Sequence, residues 1–234
     1  MRPIILVSLS TAALALGACG SSGGDEPSAL EKARAGADAS TSAGETSKAT
    51  PAGPCKQVDA PKPRSGETSK PPASLPAGKT YDVRFDTSCG SFTVRLDTKE
   101  DPKTAANLGT LAKRGYFDGL GFHRVVPDFV VQGGDPAGDG SGGPGYSVVE
   151  KPPAGTRYTR GIVAMAKAGD DPAGASGSQF FVVTSSDAGL PADYAVAGKV
   201  TSGLDTVDAI SALGSGDGPP SQPVVIDKAT LVAK

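Results

Sequence analysis

The sequence predicts a mainly β, antiparallel barrel or sandwich that follows a long unstructured lead. Three observations predict it. From about Tyr81 onward the chain breaks into short β-branched and aromatic runs separated by turn residues, only two stretches show helical spacing, and 32 Gly and 20 Pro are spread among 234 residues. The part able to hold such a fold, about 155 residues from Lys79 to Lys234, is long enough for one domain with its own core. No internal repeat is apparent.

Before that domain, Arg2 precedes an apolar run from Ile4 to Leu16 that is interrupted by Ser8, Ser10 and Thr11. Spanning a bilayer takes about 20 apolar residues, so residues 1–18 read instead as a secretory signal peptide. Leu16-Gly17-Ala18-Cys19 is similar to the lipobox of bacterial lipoproteins, in which Cys19 bears the lipid; the alternative is an ordinary signal with a chance cysteine. A diacylglycerol supplies the two chains that stable attachment takes, and an extracytoplasmic domain anchored to a bacterial membrane is expected. Residues 19–78 are Ser, Gly, Ala, Thr, Pro and Lys with almost no large apolar residue. Such a linker cannot offset the entropy of ordering, and as a disordered coil it would reach roughly 40 Å. Outside Cys19 the cysteines are Cys55 and Cys89. In an exported chain a bridge between them is expected, against the alternative of two free thiols.

Taking the domain in order, Tyr81-Asp82-Val83-Arg84-Phe85 and Phe92-Thr93-Val94-Arg95-Leu96 alternate apolar with polar around a Cys-Gly-Ser turn and predict a hairpin with one wet face. Asp101-Pro102 offers an N-cap and first helical residue, Ala105, Leu108, Leu111 and Ala112 keep helical spacing, and Gly115 suits the C-cap. Further strands are expected at residues 162–166, 179–184, 194–200 and 224–232, and a second helix at 204–213. Residues 138–145 contain a literal G-x-G-x-x-G, but Pro144-Gly145 denies it the helix that a dinucleotide site requires.

The most informative stretch is Gly121 to Asp135, G-F-H-R-V-V-P-D-F-V-V-Q-G-G-D. Two β-branched runs flank the turn pair Pro127-Asp128, and strand alternation places Phe122 with Arg124 on one side of the first strand and Val130 with Gln132 on one side of the second. An apolar patch with a cation and an amide at its edge is expected. Alternation also points His123 away from Arg124. With 23 basic and 25 acidic residues and a net charge of -2, the chain gives no electrostatic case for nucleic acid. His123 is the only histidine, no serine sits in a nucleophile elbow, and no His/Cys cluster suggests a metal; no cofactor is expected.

This stretch closely resembles the signature of cyclophilin-type peptidyl-prolyl isomerases, a Phe-His-Arg strand followed by Phe-x-x-Gln-Gly-Gly-Asp. Gly177-Ser178-Gln179-Phe180-Phe181 matches the family's second signature. The resemblance runs from about Lys79 to the C-terminus. It implies a closed eight-stranded barrel with a helix capping each end, and a glycine-rich loop beside the substrate groove. It further implies isomerisation of X-Pro bonds, with Arg124 as donor to the twisted amide and Gln132 as holder of the substrate backbone. Phe129, Val130, Phe181, Leu190 and Tyr194 would line the proline pocket, with Ala166, Lys167, Ala168 and Gln179 completing the substrate site.

Such a site needs no nucleophile or proton shuttle. The barrier of about 18 to 20 kcal/mol is amide resonance, and a donor that bonds better to the twisted amide than to the planar one lowers it. The alternative is a proline-peptide binding module with little turnover. Two departures from the family pattern bear on that choice: Lys167 replaces a frequent asparagine, and the loop from Gly169 to Ser176 lacks the usual Thr-Asn before Gly177. A third, Gly189, stands where many eukaryotic members have a tryptophan that helps bind cyclosporin. Weak cyclosporin binding is therefore expected, and the partners implied are proline-containing segments of exported proteins. A tethered single domain needs no second copy, and a monomer is expected.

Overall fold

The structure, a computed structural model, describes residues 55–234. The expected signal peptide, Cys19 and the expected linker up to residue 54 lie outside the described residues. Among the described residues, no helix is long and apolar enough to cross a membrane.

Alternation sends Val83 and Phe85 of β1 (Tyr81–Thr87) and Phe92 and Val94 of β2 (Gly90–Leu96) into one core, each at most 1% exposed. On the opposite face Asp82 lies across from Arg95, and the pair is ion-bonded. Then come helix α1 (Pro102–Lys113), β3 (Phe122–Val126), β4 (Val130–Gly133), β5 (Val148–Val149), β6 (Ile162–Met165), β7 (Ala175–Ser176), β8 (Phe180–Val183), β9 (Val196–Ser202), helix α2 (Leu204–Ser211) and β10 (Ile226–Ala233). Eight strands form one sheet in the order β10-β1-β2-β9-β6-β8-β4-β3, with every pairing antiparallel. The two-residue strands β5 and β7, which have too few residues to show a period, make a separate ribbon.

The sheet curls, but it is not the closed barrel expected. Its edge strands β3 and β10 share no ladder; one bridge, Gly121 to Val225, joins the segments beside them. The run Gly218-Pro219-Pro220-Ser221-Gln222-Pro223 lies along that edge, where the Gly218 carbonyl accepts from the Val125 amide. Its prolines lack the N–H that would extend a ladder.

Two apolar clusters result. One, inside the curl, gathers Phe85, Phe92, Phe117, Phe122 and Phe180, with the Phe85–Phe92 and Phe85–Phe180 ring centroids 5.0 and 5.1 Å apart. The other gathers Phe129, Val130, Tyr158, Phe181, Leu190 and Tyr194 on the outer face. Strand alternation at Phe180-Phe181 splits the consecutive rings between them.

Helix α1 begins where expected, after Asp101, with proline in its first turn, yet the Asp101 side chain caps nothing. Glu150 performs that task from a distant loop: its carboxylate accepts from the Lys103 amide at 3.1 Å, the Thr104 amide at 2.7 Å and the Thr104 hydroxyl at 2.8 Å. Burial, with Glu150, Asp97 and Glu100 nearby, pushes the Asp101 carboxyl up to about 6. The native state then holds a proton that the unfolded chain, titrating near 3.9, has released. Stability is therefore lost as pH rises through about 6. Asp101→Asn is expected to raise the denaturant midpoint at pH 8 and to change it little at pH 4; an equal gain at both values contradicts this account.

Residues 55–78 lack regular structure, as their composition suggests, but they are not a free coil. They pack along the domain as an extended strap. Cys55 is joined to Cys89 in a disulfide, the Lys56 amide bonds the Ser88 carbonyl at 2.8 Å, and the Arg64 and Thr68 amides bond the Pro136 and Pro144 carbonyls. The disulfide closes a sequence separation of 34 and by loop entropy contributes at most about 4 kcal/mol.

Candidate active site

Strands β3 and β4 present the groove, and a bulge decides what they show. Phe122 faces Gly133 and Arg124 faces Gln132, so His123 is an extra residue without a partner. The expectation that Phe122 and Arg124 share a face is thereby corrected. Phe122 is buried in the inner cluster, 2% exposed, while Arg124 projects into the groove. His123, expected to point away from Arg124, also reaches Gln132, its Nε2 lying 3.5 Å from the amide nitrogen. Burial holds its imidazole below the ordinary histidine range, so the ring is neutral at pH 7.

Arg124 is fixed from two sides. Its Nε and Nη2 donate to the two carboxylate oxygens of Asp217 at 2.6 and 2.7 Å, and its Nη1 donates to Gln132 Oε1 at 3.3 Å. A bidentate pair of this kind sets both plane and position of the guanidinium. Gln132 in turn donates to Gln179 Oε1 at 3.0 Å, and Gln179 donates to the carbonyls of Gly140 and Gly142 at 2.7 and 2.9 Å. The result is one polar chain from Asp217 to the glycine-rich loop along the floor of a cleft of about 310 Å³. Ala166, Lys167 and Ala168 form its far wall.

The glycines of the Gln-Gly-Gly-Asp run have a steric basis. Gly134 has φ 85°, and a Cβ there would come within 2.5 Å of the Ser178 carbonyl oxygen. Asp135, 2% exposed, accepts from the Ala137 and Gly140 amides at 2.8 and 2.6 Å and folds the following loop back over the cleft. No residue from 138 to 145 opens a helix.

Phe129, Val130, Phe181, Leu190 and Tyr194 meet in the outer cluster, which adjoins the cleft through Ala166 and through the pairing of Gln132 with Phe181. The Phe181 ring lies edge-on to Tyr194, centroids 5.6 Å apart. Tyr158, which sequence reasoning did not single out, holds this wall. Its hydroxyl donates to the Tyr194 carbonyl at 2.6 Å and accepts from the Tyr194 amide at 3.0 Å, and burial pushes it up to about 12. Lys167, in the cleft wall, has its ammonium fully engaged by neighbours. Its ammonium lies 3.2 Å from Asp193, donates to the Ala168 and Asp171 carbonyls, and sits 5.9 Å from the Tyr194 ring centroid. Asp217 was also missed; it lies 93 residues from Arg124 in a Gly-Ser-Gly-Asp-Gly loop with no local signature.

A family model described as cyclophilin type peptidyl-prolyl cis-trans isomerase/CLD matches residues 82–231. The chain belongs to this family. Its membership makes it a peptidyl-prolyl cis-trans isomerase. Curated relatives include "Peptidyl-prolyl cis-trans isomerase-like 1" of Aspergillus oryzae, 39% identical over 156 residues that cover 64% of this cyclophilin and 95% of the relative. The protein of the same name from Gibberella zeae is 37% identical over 158 residues, covering 65% and 96%. A crystal structure of a Cryptosporidium parvum cyclophilin type isomerase in the presence of the dipeptide Ala-Pro superposes with a TM-score of 0.60 at 30% identity, covering 65% of this chain and 99% of that one.

Proposed function

We propose that this cyclophilin isomerises X-Pro bonds by holding the planar peptide over the outer apolar cluster and donating from Arg124 to the amide nitrogen as it twists. Loss of resonance returns a lone pair to that nitrogen, so the bond to Arg124 strengthens only on the way to the transition state. The observation that carries the reading is the Asp217–Arg124–Gln132 arrangement. It leaves the guanidinium no free rotation at the edge of an apolar wall, so little reorganisation is required when the charge-assisted bond forms.

Gln132 and Gln179 act as fixed dipoles against the substrate backbone, and the neutral His123 supports Gln132. The turnover-free binding module draws support from Lys167 and the altered loop at 169–176; the donor, held in place and not diverted into the core, favours turnover. Lys167, spent on Asp193, supplies no side-chain contact to substrate. Gly189 has φ 63° and open space where a side chain would begin. Weak cyclosporin binding belongs to the proposal, and a nanomolar dissociation constant would refute it.

The clients we assign are proline-containing segments of exported proteins, met near a membrane surface by a lipid-anchored monomer. Support comes from the amino-terminal sequence pattern and from the Cys55–Cys89 disulfide, a bond that persists in oxidising compartments. The mechanism is tested at Asp217. Asp217→Ala is expected to lower kcat about tenfold with KM little changed, because the donor drifts while the apolar wall stays. Asp217→Asn, which keeps one acceptor, should recover part of the loss. A normal kcat in Asp217→Ala removes the positioning role.

A further inference from the structure

The glycine-rich loop lines the substrate side of the cleft through Gly140, Ser141 and Gly142. Five of the eight residues from 138 to 145 are glycine, so this is backbone with a large ordering entropy and no side chains to pack it. From the cleft side it is held by the Gln179 amide. From the outer side it is held by the strap.

The contacts bracket the loop. The Arg64 amide bonds the Pro136 carbonyl at 2.9 Å before the glycine run, and the Thr68 amide bonds the Pro144 carbonyl at 3.1 Å near its end. Midway, Gly66 passes so close that a Cβ would lie 2.4 Å from the Gly143 carbonyl oxygen, the Pro136 ring and the Tyr116 hydroxyl. The Arg64 guanidinium donates to the Tyr116 carbonyl at 2.5 Å and the Asp118 carbonyl at 3.2 Å. Tyr116 continues inward, its hydroxyl donating to Ser178 Oγ at 3.1 Å, and Ser178 donates to the Gly134 carbonyl at 2.8 Å. A line of contact therefore runs from the strap to both ends of the loop and to the residue preceding Gln179.

We propose that strap residues 64–68 are a positioning element of the substrate groove, fixing the glycine-rich loop in the form that receives the peptide beyond the proline pocket. This rests on the groove reading given above. The bonds of residues 64–68 run to the loop, Tyr116 and Asp118 rather than to Arg124 or the outer apolar cluster, so they govern affinity for extended peptides and not the rate of twisting. A dipeptide that does not reach the loop is indifferent to it.

The test uses the full chain and measures isomerisation by exchange NMR for Ala-Pro and for a longer Ala-Ala-Pro-Phe peptide. Gly66→Ala, which cannot keep the close passage, and Thr68→Pro, which removes one clasp bond without enlarging Gly66, are compared with wild type. Both are expected to raise KM for the longer peptide about five- to tenfold, with kcat within twofold and KM for Ala-Pro unchanged. Unchanged KM for the longer peptide in both variants overturns the proposal, as does a fall in kcat for both peptides that follows a lowered melting temperature. Arg124→Ala is run in parallel to separate the two readings. If it loses turnover while the strap variants behave as wild type, only the strap proposal fails; if it keeps full turnover, the groove reading fails and the strap proposal with it.

Discussion

Arg124→Ala is expected to lower kcat about a hundredfold and to leave peptide affinity within a few-fold of wild type. A charge-assisted hydrogen bond contributes about 1.5 to 3 kcal/mol, and at 1.36 kcal/mol per decade the upper end is two orders of magnitude. In the proposed mechanism the loss should fall on kcat, because the bond is made to a nitrogen that accepts only when twisted. Arg124→Lys should recover little. An ammonium cannot make the two parallel bonds that Arg124 makes to Asp217 and still reach Gln132. Single-turnover and steady-state exchange rates check both variants, and an affinity loss of a hundredfold at normal kcat would assign Arg124 to binding alone.

The second large effect separates two adjacent rings. Phe180→Ala opens a cavity among Phe85, Phe117 and Phe122 and is expected to destabilise by about 3 to 5 kcal/mol. Activity per folded molecule stays near normal. Phe181→Ala removes the ring packed against Tyr194 and Tyr158, with a comparable stability cost and a large rise in KM besides. Chemical denaturation and kinetics on the folded fraction distinguish them. Equal KM values for the two variants would mean that the outer cluster is not the proline wall.

What was legible in the chain was what local period and local chemistry encode. The hairpin at β1 and β2, both helices and most of the longer strands follow from alternation or helical spacing. What was not legible depends on pairing. The bulge at His123 is a property of the register between β3 and β4, and it moved Phe122 into the inner core and His123 beside Gln132. Glu150 reaches the start of α1, and Asp217 reaches Arg124, only after the chain has folded. Open edges between β3 and β10 follow from prolines in a segment distant from β3. The strap illustrates a different limit: residues 55–78 have too little apolar surface to signal order, yet a disulfide and backbone bonds to a loop hold them without it.

Two-dimensional exchange NMR on Ala-Pro-Phe, with catalytic amounts of the full chain and of Arg124→Ala, reads whether Arg124 acts on the twisted amide. Exchange cross-peaks between cis and trans forms are expected with the wild-type chain, and their loss in the variant while the peptide resonances still shift on binding. Cross-peaks of equal strength in both proteins would contradict that role for Arg124.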